Sequence, residues 1–169
     1  AYRIHHALLG SAVDSSMMVN FATSGDWSVQ GPKSMPGKAI VNIRRSLVSP
    51  LRKFHRTTSI NHHSPSCLPS NWPARINASD SDIVNLHWVQ DEMLSIWDIT
   101  RIRKPIVWTL HDMWAFCGAE HYTTDFRWRD GYWSNNRPGN EGSFDINRWT
   151  WYRKFKHWRQ PLHVVGNSY

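Results

Sequence analysis

Polar side chains that can do chemistry follow three short apolar runs of the sequence. His87 and Trp88 follow the first run, His111 and Asp112 follow the second, and Ser168 closes the third. Imidazole, carboxylate and hydroxyl groups bind sugar hydroxyls and phosphates, and an indole offers a flat apolar face. Because parallel strands end at one edge of a sheet, these residues are predicted to line one cleft. The alternative is that the histidines at the strand ends are packed and hydrogen-bonded.

The densest group of such residues runs from His111 to Tyr122 and includes Trp114 and His121. A metal site in this segment would draw on His111, Asp112, Cys117, Glu120 and His121. Their spacing matches no established ligand pattern, so we expect neither a metal nor another bound cofactor.

The elements that must position these residues are visible as apolar runs. Asp82–Val89, Pro105–Leu110 and Pro161–Val165 have the composition of buried parallel strands. Asp91–Arg103 carries apolar residues at three-residue steps, which predicts a helix between the first two strands and hence a βαβ unit. Asp145 is a good N-cap for a basic, aromatic helix over Ile146–Arg159.

The first half of the chain is less regular. It predicts a helix over residues 1–9 that ends at Gly10, a strand over 13–21, and a helix over 38–55 that Pro50 ends or kinks. Loops are predicted at about 22–37, 56–81 and 113–143, with His62 and His63 as a surface pair. The alternation of strands and helices predicts an α/β fold, an open parallel sheet with helices on both faces.

Length and charge narrow the classes of function. The chain has 169 residues, which suits one domain, and 20 Lys and Arg against 13 Asp and Glu give a net charge of +7. This balance favours anionic partners, and the chain has no apolar run of the ~20 residues that a membrane-spanning helix needs. Cys67 and Cys117 indicate neither a disulfide framework nor a zinc site, so a reducing compartment is the default.

The predicted helix over Ile146–Arg159 has three interpretations. Its aromatic residues lie at helical spacing for core packing, whereas its mixture of basic and aromatic residues also suits a membrane surface or nucleic acid. Because no nucleic-acid-binding signature accompanies the helix, nucleic acid is not expected as a partner. The residues in question are Arg148, Trp151, Arg153, Lys154, Phe155, Lys156, Trp158 and Arg159.

Three motifs together resemble the N-terminal domain of group 1 (family 4) glycosyltransferases. They are the run Val84–Val89, the run Pro105–Gly118 that contains Leu110-His111-Asp112-Met113-Trp114, and the pair His121-Tyr122. Together with the helix around Arg148–Lys154, they are similar to bacterial members that build cell-surface polysaccharide. The similarity extends over nearly the whole chain and is strongest from Asp82 to Ser168.

The resemblance implies the two-domain GT-B fold, in which an N-terminal Rossmann-like domain binds the acceptor and a C-terminal one binds the nucleotide sugar. It implies a retaining enzyme that transfers a hexose from a nucleotide sugar to a glycan or lipid-linked acceptor, in the cytoplasm or at the inner face of the membrane. His111 matches the histidine that approaches the transferred sugar. The acceptor side would be shaped by His87, Trp88, Asp112, Trp114, His121 and Ser168.

Measured against that family, residues 1–169 correspond to a partial N-terminal domain. The first strand, its glycine-rich loop and the C-terminal nucleotide-sugar domain have no counterpart in the sequence, so we expect a fragment that is inactive alone. The alternative from a different class of function is a non-catalytic α/β module that binds anions or a membrane surface through the helix at 146–159.

Overall fold

The computed structural model describes residues 1–57 and 59–166, which divide into two compact units at Arg44/Arg45. Helices alternate with small sheets, two of them parallel, so the predicted α/β class is confirmed at this level. Ser168, which was predicted to close the site, lies outside the described residues.

The first unit contains a helix and one small parallel sheet. Helix α1 (Tyr2–Gly10) ends where the sequence predicted. Strands β1 (Met17–Met18) and β2 (Val29–Gln30) pair in parallel. The predicted strand over 13–21 is therefore mostly irregular, and the predicted loop over 22–37 contains β2, because the pairing partner of β1 is distant in sequence.

Helix α2 (Met35–Phe54) crosses from the first unit into the second. Pro50 lies inside this helix, so of the two predicted effects, an end or a kink, the end does not occur there. A proline removes one backbone hydrogen bond, and at this position it does so only in the last turn and a half of a 20-residue helix.

The second unit is organised around a three-stranded parallel sheet. In chain order its elements are β3 (His55–Thr57), α3 (Trp72–Asn77), β4 (Val84–His87), α4 (Ile96–Arg101), β5 (Ile106–Leu110), α5 (Arg127–Asp130), a 3₁₀ turn (Ser134–Asn136), β6 (Glu141–Ser143), α6 (Ile146–His157) and β7 (His163–Gly166). The sheet order is β4-β5-β7, with Leu86 beside Trp108 and Trp108 beside Val164.

The core of this unit lies between the sheet and α4. Ile96 and Ile99 are fully buried and pack with Trp108 and Trp114. Strands β4 and β5 supply this core as expected, but all four residues of β7 are exposed. The prediction of a third buried strand was therefore wrong: β4 and β7 are both edge strands, but among the described residues the core includes Leu86 of β4 and none of β7.

Two segments predicted as loops carry structure of their own. Strands β3 and β6 pair antiparallel, with His55 beside Ser143 and Thr57 beside Glu141. This pairing joins residues about 85 positions apart, which no local sequence pattern reveals. Helix α6 begins as predicted, since the Asp145 side chain accepts a hydrogen bond from the Arg148 N–H at 2.9 Å.

Among the described residues, no helix combines the length and the apolar character that crossing a lipid bilayer requires.

Candidate functional site

The first part of the site is a histidine pair at the carboxyl ends of β4 and β5. His87 is the last residue of β4, and His111 follows the last residue of β5. Their Nδ1 and Nε2 atoms are 2.9 Å apart, within hydrogen-bond distance. The Tyr122 hydroxyl donates to the His111 carbonyl at 3.0 Å and fixes the backbone there. Parallel pairing therefore brings together two histidines that are 24 residues apart.

The protonation state of this pair follows from its surroundings. Partial burial is the largest of the causes that lower the pKa of His87 to about 4, and the neighbouring His111 is one of the smaller ones. His87 is therefore neutral near pH 7, where one imidazole donates to the other. The bond leaves His87 Nε2 and His111 Nδ1 outside it, and the His111 side chain is exposed. A sugar hydroxyl can reach such a pair as donor or acceptor.

Trp88 lies next to the pair in an unusual backbone conformation. Its φ of +44° is in the left-handed region, where a bulky side chain is strained, and Asp91 and Glu92 follow with φ of +55° and +63°. Strain of this kind is often found at binding sites. The Trp88 indole remains 44% exposed, and its centroid is 5.6 Å from that of His121 and 6.5 Å from that of His62.

Directly behind this surface is a buried network of three side chains. His121 Nδ1 is 2.5 Å from Asp112 Oδ2, and His121 Nε2 is 2.8 Å from Ser64 Oγ. A carboxylate only accepts, so Nδ1 carries the proton, and Nε2 shares a second hydrogen bond with the Ser64 hydroxyl. Asp112 Oδ1 also accepts from the Trp114 backbone N–H at 3.0 Å. The network thus fixes the turn that follows His111.

The order serine, histidine, aspartate is also that of a nucleophile, its base and an orienting carboxylate. Ser64 and His121 are 1% and 3% exposed, however, and the cavity beside Ser64 has a volume of about 10 Å³. Such a cavity holds no more than one water molecule. The burial of both side chains leaves no room for a substrate at this serine, and what the geometry shows is a network that holds the residues it contacts.

Asp91 joins the buried network to the surface, because its Oδ1 atom lies 3.5 Å from Ser64 Oγ. It accepts from His62 Nε2 at 2.8 Å and from Arg45 at 2.7 Å, and Arg52 lies 3.7 Å away. Burial raises the pKa of Asp91, but the hydrogen bond and charge of His62, together with the two arginines, lower it to about 2. Asp91 therefore stays ionised and holds His62 beside Trp88.

Two further residues, Trp114 and Lys154, hold the loop after β5 in place. The Trp114 indole is fully buried and donates to the Ser64 carbonyl at 2.7 Å. The Lys154 ammonium lies 3.6 Å from the centre of the Trp114 ring and donates to the carbonyls of Trp114, Cys117 and Gly118. Complete burial lowers the pKa of Lys154 to about 7 despite nearby acidic groups.

The predicted site residues therefore fall into two classes. His87, Trp88 and His111 form an accessible surface. Asp112 and His121 lie behind it with side chains 5% and 4% exposed, and Trp114 belongs to the core. The polar atoms of these last three already bind protein groups, which places them in supporting positions, and their predicted contact with substrate stays a prediction.

Sequence reasoning missed Ser64 and misjudged the histidines beside it. His62 has a 43% exposed side chain, but His63 is buried, so the predicted surface pair was half wrong. Burial, and then the charge of His55, lower the pKa of His63 to about 4. The segment around these residues has no hydrophobic period, so its sequence gave no signal that Ser64 and His63 would be buried.

The basic residues of α6 are also divided. Arg153 donates to the carbonyls of Pro65 and Ser66 at 2.9 and 3.0 Å, and Lys154 is bound as described above. These two cations are therefore taken up by backbone carbonyls inside the unit. Trp158 packs on the core, whereas Phe155 is 54% exposed, so the core-packing interpretation holds for only part of the aromatic face.

Across residues 1–57 and 59–166, no group of three or more His, Cys, Asp or Glu side chains is arranged to hold a metal ion. Burial, followed by the charge of Glu120, raises the pKa of the Cys117 thiol to about 12, which disfavours the thiolate that binds metals.

Comparison with known proteins adds no assignment: no family model, curated protein or solved structure matches the chain.

Proposed function

We propose that this chain is the acceptor-side part of a retaining glycosyltransferase, which transfers a hexose from a nucleotide sugar to a glycan or lipid-linked acceptor. The observation that supports it best is the hydrogen-bonded pair of His87 and His111 at two neighbouring strand ends, with the exposed Trp88 next in the sequence after His87. Hydrogen-bonding imidazoles next to an aromatic face are suited to binding a sugar ring.

The fold of the proposal is a Rossmann-like N-terminal domain of the GT-B type. Its support is the parallel order β4-β5-β7 and the helix α4 that connects β4 to β5. In open α/β sheets, ligands bind outside the carboxyl ends of the strands, where His87 and His111 lie. The proposal includes a second domain that binds the nucleotide sugar.

Each accessible residue has a role in this proposal. His111 hydrogen-bonds the transferred sugar near the reaction centre, His87 orients His111, and Trp88 stacks on the acceptor. Asp112 and His121 act as positioning residues, since their polar atoms are used within the protein.

The chemistry needs no nucleophile from this part of the protein. The rate would come from holding the acceptor hydroxyl on the same face of the sugar as the leaving phosphate, so that the new bond forms with retention, and from stabilising that phosphate through the second domain. The proposal requires no metal or other cofactor. It places the reaction in the cytoplasm or at the inner face of the membrane, with a nucleotide sugar as the donor.

The test is glycosyl transfer by the complete gene product, expressed with the coding sequence that naturally flanks this chain. Labelled nucleotide hexoses are supplied with a lipid extract as acceptor, and His111→Ala is compared with the wild type. We expect transfer to fall about 100-fold, the cost of losing alignment at the reaction centre, with little change in folding. The 169-residue chain alone is expected to transfer nothing.

His157→Ala serves as the control, because His157 is a partly buried histidine on α6 whose ring packs edge-on against Trp97, 46 residues along the chain from His111. Its transfer rate is expected to equal that of the wild type. If His111→Ala retains full activity, the assignment of His111 fails. If the flanking sequence encodes no second Rossmann-like domain, the glycosyltransferase proposal itself fails.

A further inference from the structure

A second surface of the molecule has no part in the proposed reaction. It consists of the aromatic side chains of Phe116, Trp128, Trp133, Trp151 and Phe155, and is called the aromatic surface below. Four of these residues are between 39% and 54% exposed, namely Phe116, Trp128, Trp133 and Phe155. Monomeric proteins rarely leave so many large aromatic side chains exposed together without a binding role.

The aromatic surface is continuous. Trp151 and Phe155 are stacked at 5.2 Å with planes 14° apart, and Trp133 meets Trp151 edge-on at 5.1 Å. Phe116 meets Trp128 edge-on at 5.8 Å. A shallow cavity of about 230 Å³ joins these two groups, and it is lined by Ala115, Phe116, Trp151, Lys154, Phe155 and Trp158.

The charged side chains along α6 and the residues after it are all basic, whereas the exposed Asp130 between Trp128 and Trp133 is paired with Arg129. From Ile146 to Gly166 the sequence contains no Asp or Glu. Arg153 and Lys154 face inward, as described above, but Arg148, Lys156 and Arg159 are exposed. Arg148 is one and two helical turns from Trp151 and Phe155, and the Arg159 guanidinium lies 5.7 Å from the centre of the Phe155 ring.

We infer that the aromatic surface binds the headgroup region of an anionic lipid bilayer, with Trp151 and Phe155 entering the interface and Arg148 and Arg159 meeting lipid phosphates. Aromatic rings prefer this region of a membrane, and cations beside them are attracted to anionic lipids. The apolar cavity receives part of a lipid chain. A glycan would need polar partners in that cavity, but the Lys154 ammonium that borders it is occupied by three carbonyls.

This inference is independent of the transfer reaction, and it relocates the surface-binding property predicted from the sequence. The sequence assigned that property to Arg153 and Lys154 among others, whereas those two hold backbone carbonyls. The exposed side chains of Arg148, Phe155 and Arg159 are the ones inferred to contact the membrane.

The experiment is vesicle flotation with the 169-residue chain. Vesicles of phosphatidylcholine alone are compared with vesicles of equal parts phosphatidylcholine and phosphatidylglycerol, at low and at physiological salt. We expect binding to the anionic vesicles only, weaker at the higher salt because of screening. Brominated lipid chains should quench tryptophan fluorescence on binding, which tests insertion without any substitution.

The variants separate the aromatic from the charged contribution. Phe155→Ala should lower the vesicle partition coefficient about ten-fold, and Arg148→Gln with Arg159→Gln about five-fold for each charge removed. The controls are Phe144→Ala, which removes a phenylalanine outside the aromatic surface that is 40% exposed against 54% for Phe155, and Arg103→Gln, which removes an exposed arginine after α4. Both controls should bind like the wild type.

Three results would overturn the inference. The first is no flotation with anionic vesicles and no quenching. The second is flotation that the controls reduce as much as the test variants do. The third is a dimer, detected by light scattering, that Phe155→Ala dissociates, since the aromatic surface would then bind a second copy of the chain.

Discussion

The histidine pair and the buried network are built from the same strand ends, yet they differ in what they can do. His87 and His111 bond to each other and keep ring nitrogens on an accessible side. His121 uses both of its ring nitrogens on Asp112 and Ser64. A histidine with both nitrogens occupied can position its neighbours, whereas one with a nitrogen to spare can also bind a ligand.

The comparison also explains why neighbouring residues of one motif have different roles. His111 and Asp112 are adjacent in the sequence, but one side chain is exposed and the other is 5% exposed. Asp112 holds His121 and the Trp114 backbone, and thereby fixes the turn that presents His111. Substitutions in the two regions should therefore affect different measurable quantities.

The largest expected effect is on stability, from Asp112→Ala. The change leaves the His121 Nδ1–H and the Trp114 backbone N–H buried without an acceptor, so the free energy of unfolding should fall by about 3 kcal/mol. His111→Ala should change it by less than about 1 kcal/mol. Urea unfolding followed by circular dichroism measures both values. Equal losses from the two substitutions would contradict the division into an accessible and a buried region.

Ser64→Ala should have the next largest effect. It removes one hydrogen bond of His121 and leaves Nε2 without the hydroxyl, which should cost about 1–2 kcal/mol of unfolding free energy. Ser70→Ala is a suitable comparison, because that serine hydroxyl faces only a neighbouring backbone N–H at 3.3 Å. The same urea titration applies, and a loss no greater than that of Ser70→Ala would argue against the network.

The free energy of unfolding should depend on pH, because burial lowers the pKa values of two histidines. The pKa values of His63 and His87 are lowered to about 4 from an ordinary 6.5. As the pH falls between these values, the unfolded chain binds protons that the folded chain does not, so stability decreases through that window and is complete above it. Unfolding midpoints at several pH values measure this slope. Because the two pKa values are lowered by about the same amount, His63→Gln and His87→Gln should each flatten the slope by a similar amount.

The smallest effect lies within the histidine pair. In His111→Ala, the pKa of His87 should rise, because a neighbouring group that disfavours its charged form is gone. Burial persists, so the pKa should stay below 6.5. NMR titration of the imidazole C–H resonance reports the value directly. An unchanged pKa would show that the 2.9 Å contact does not couple the two rings in solution.

Local patterns in the sequence were enough for the elements whose signals are local. The apolar runs predicted β4 and β5, and the Asp145 cap predicted where α6 begins. They also placed His87, Trp88 and His111 at strand ends. Beyond these, β7 was expected to be buried, and β3 and β6 were missed because each forms only against a distant partner.

The amino-acid sequence by itself determined which side chains follow the parallel strands, because periodicity and capping act over a few residues. The tertiary structure decided which of those side chains stay accessible. Ser64 reaches His121 across 57 residues, and Lys154 reaches the loop after β5 across about 40. Contacts over such separations depend on how the elements pack, so burial and the roles that follow from it were fixed only in the folded chain.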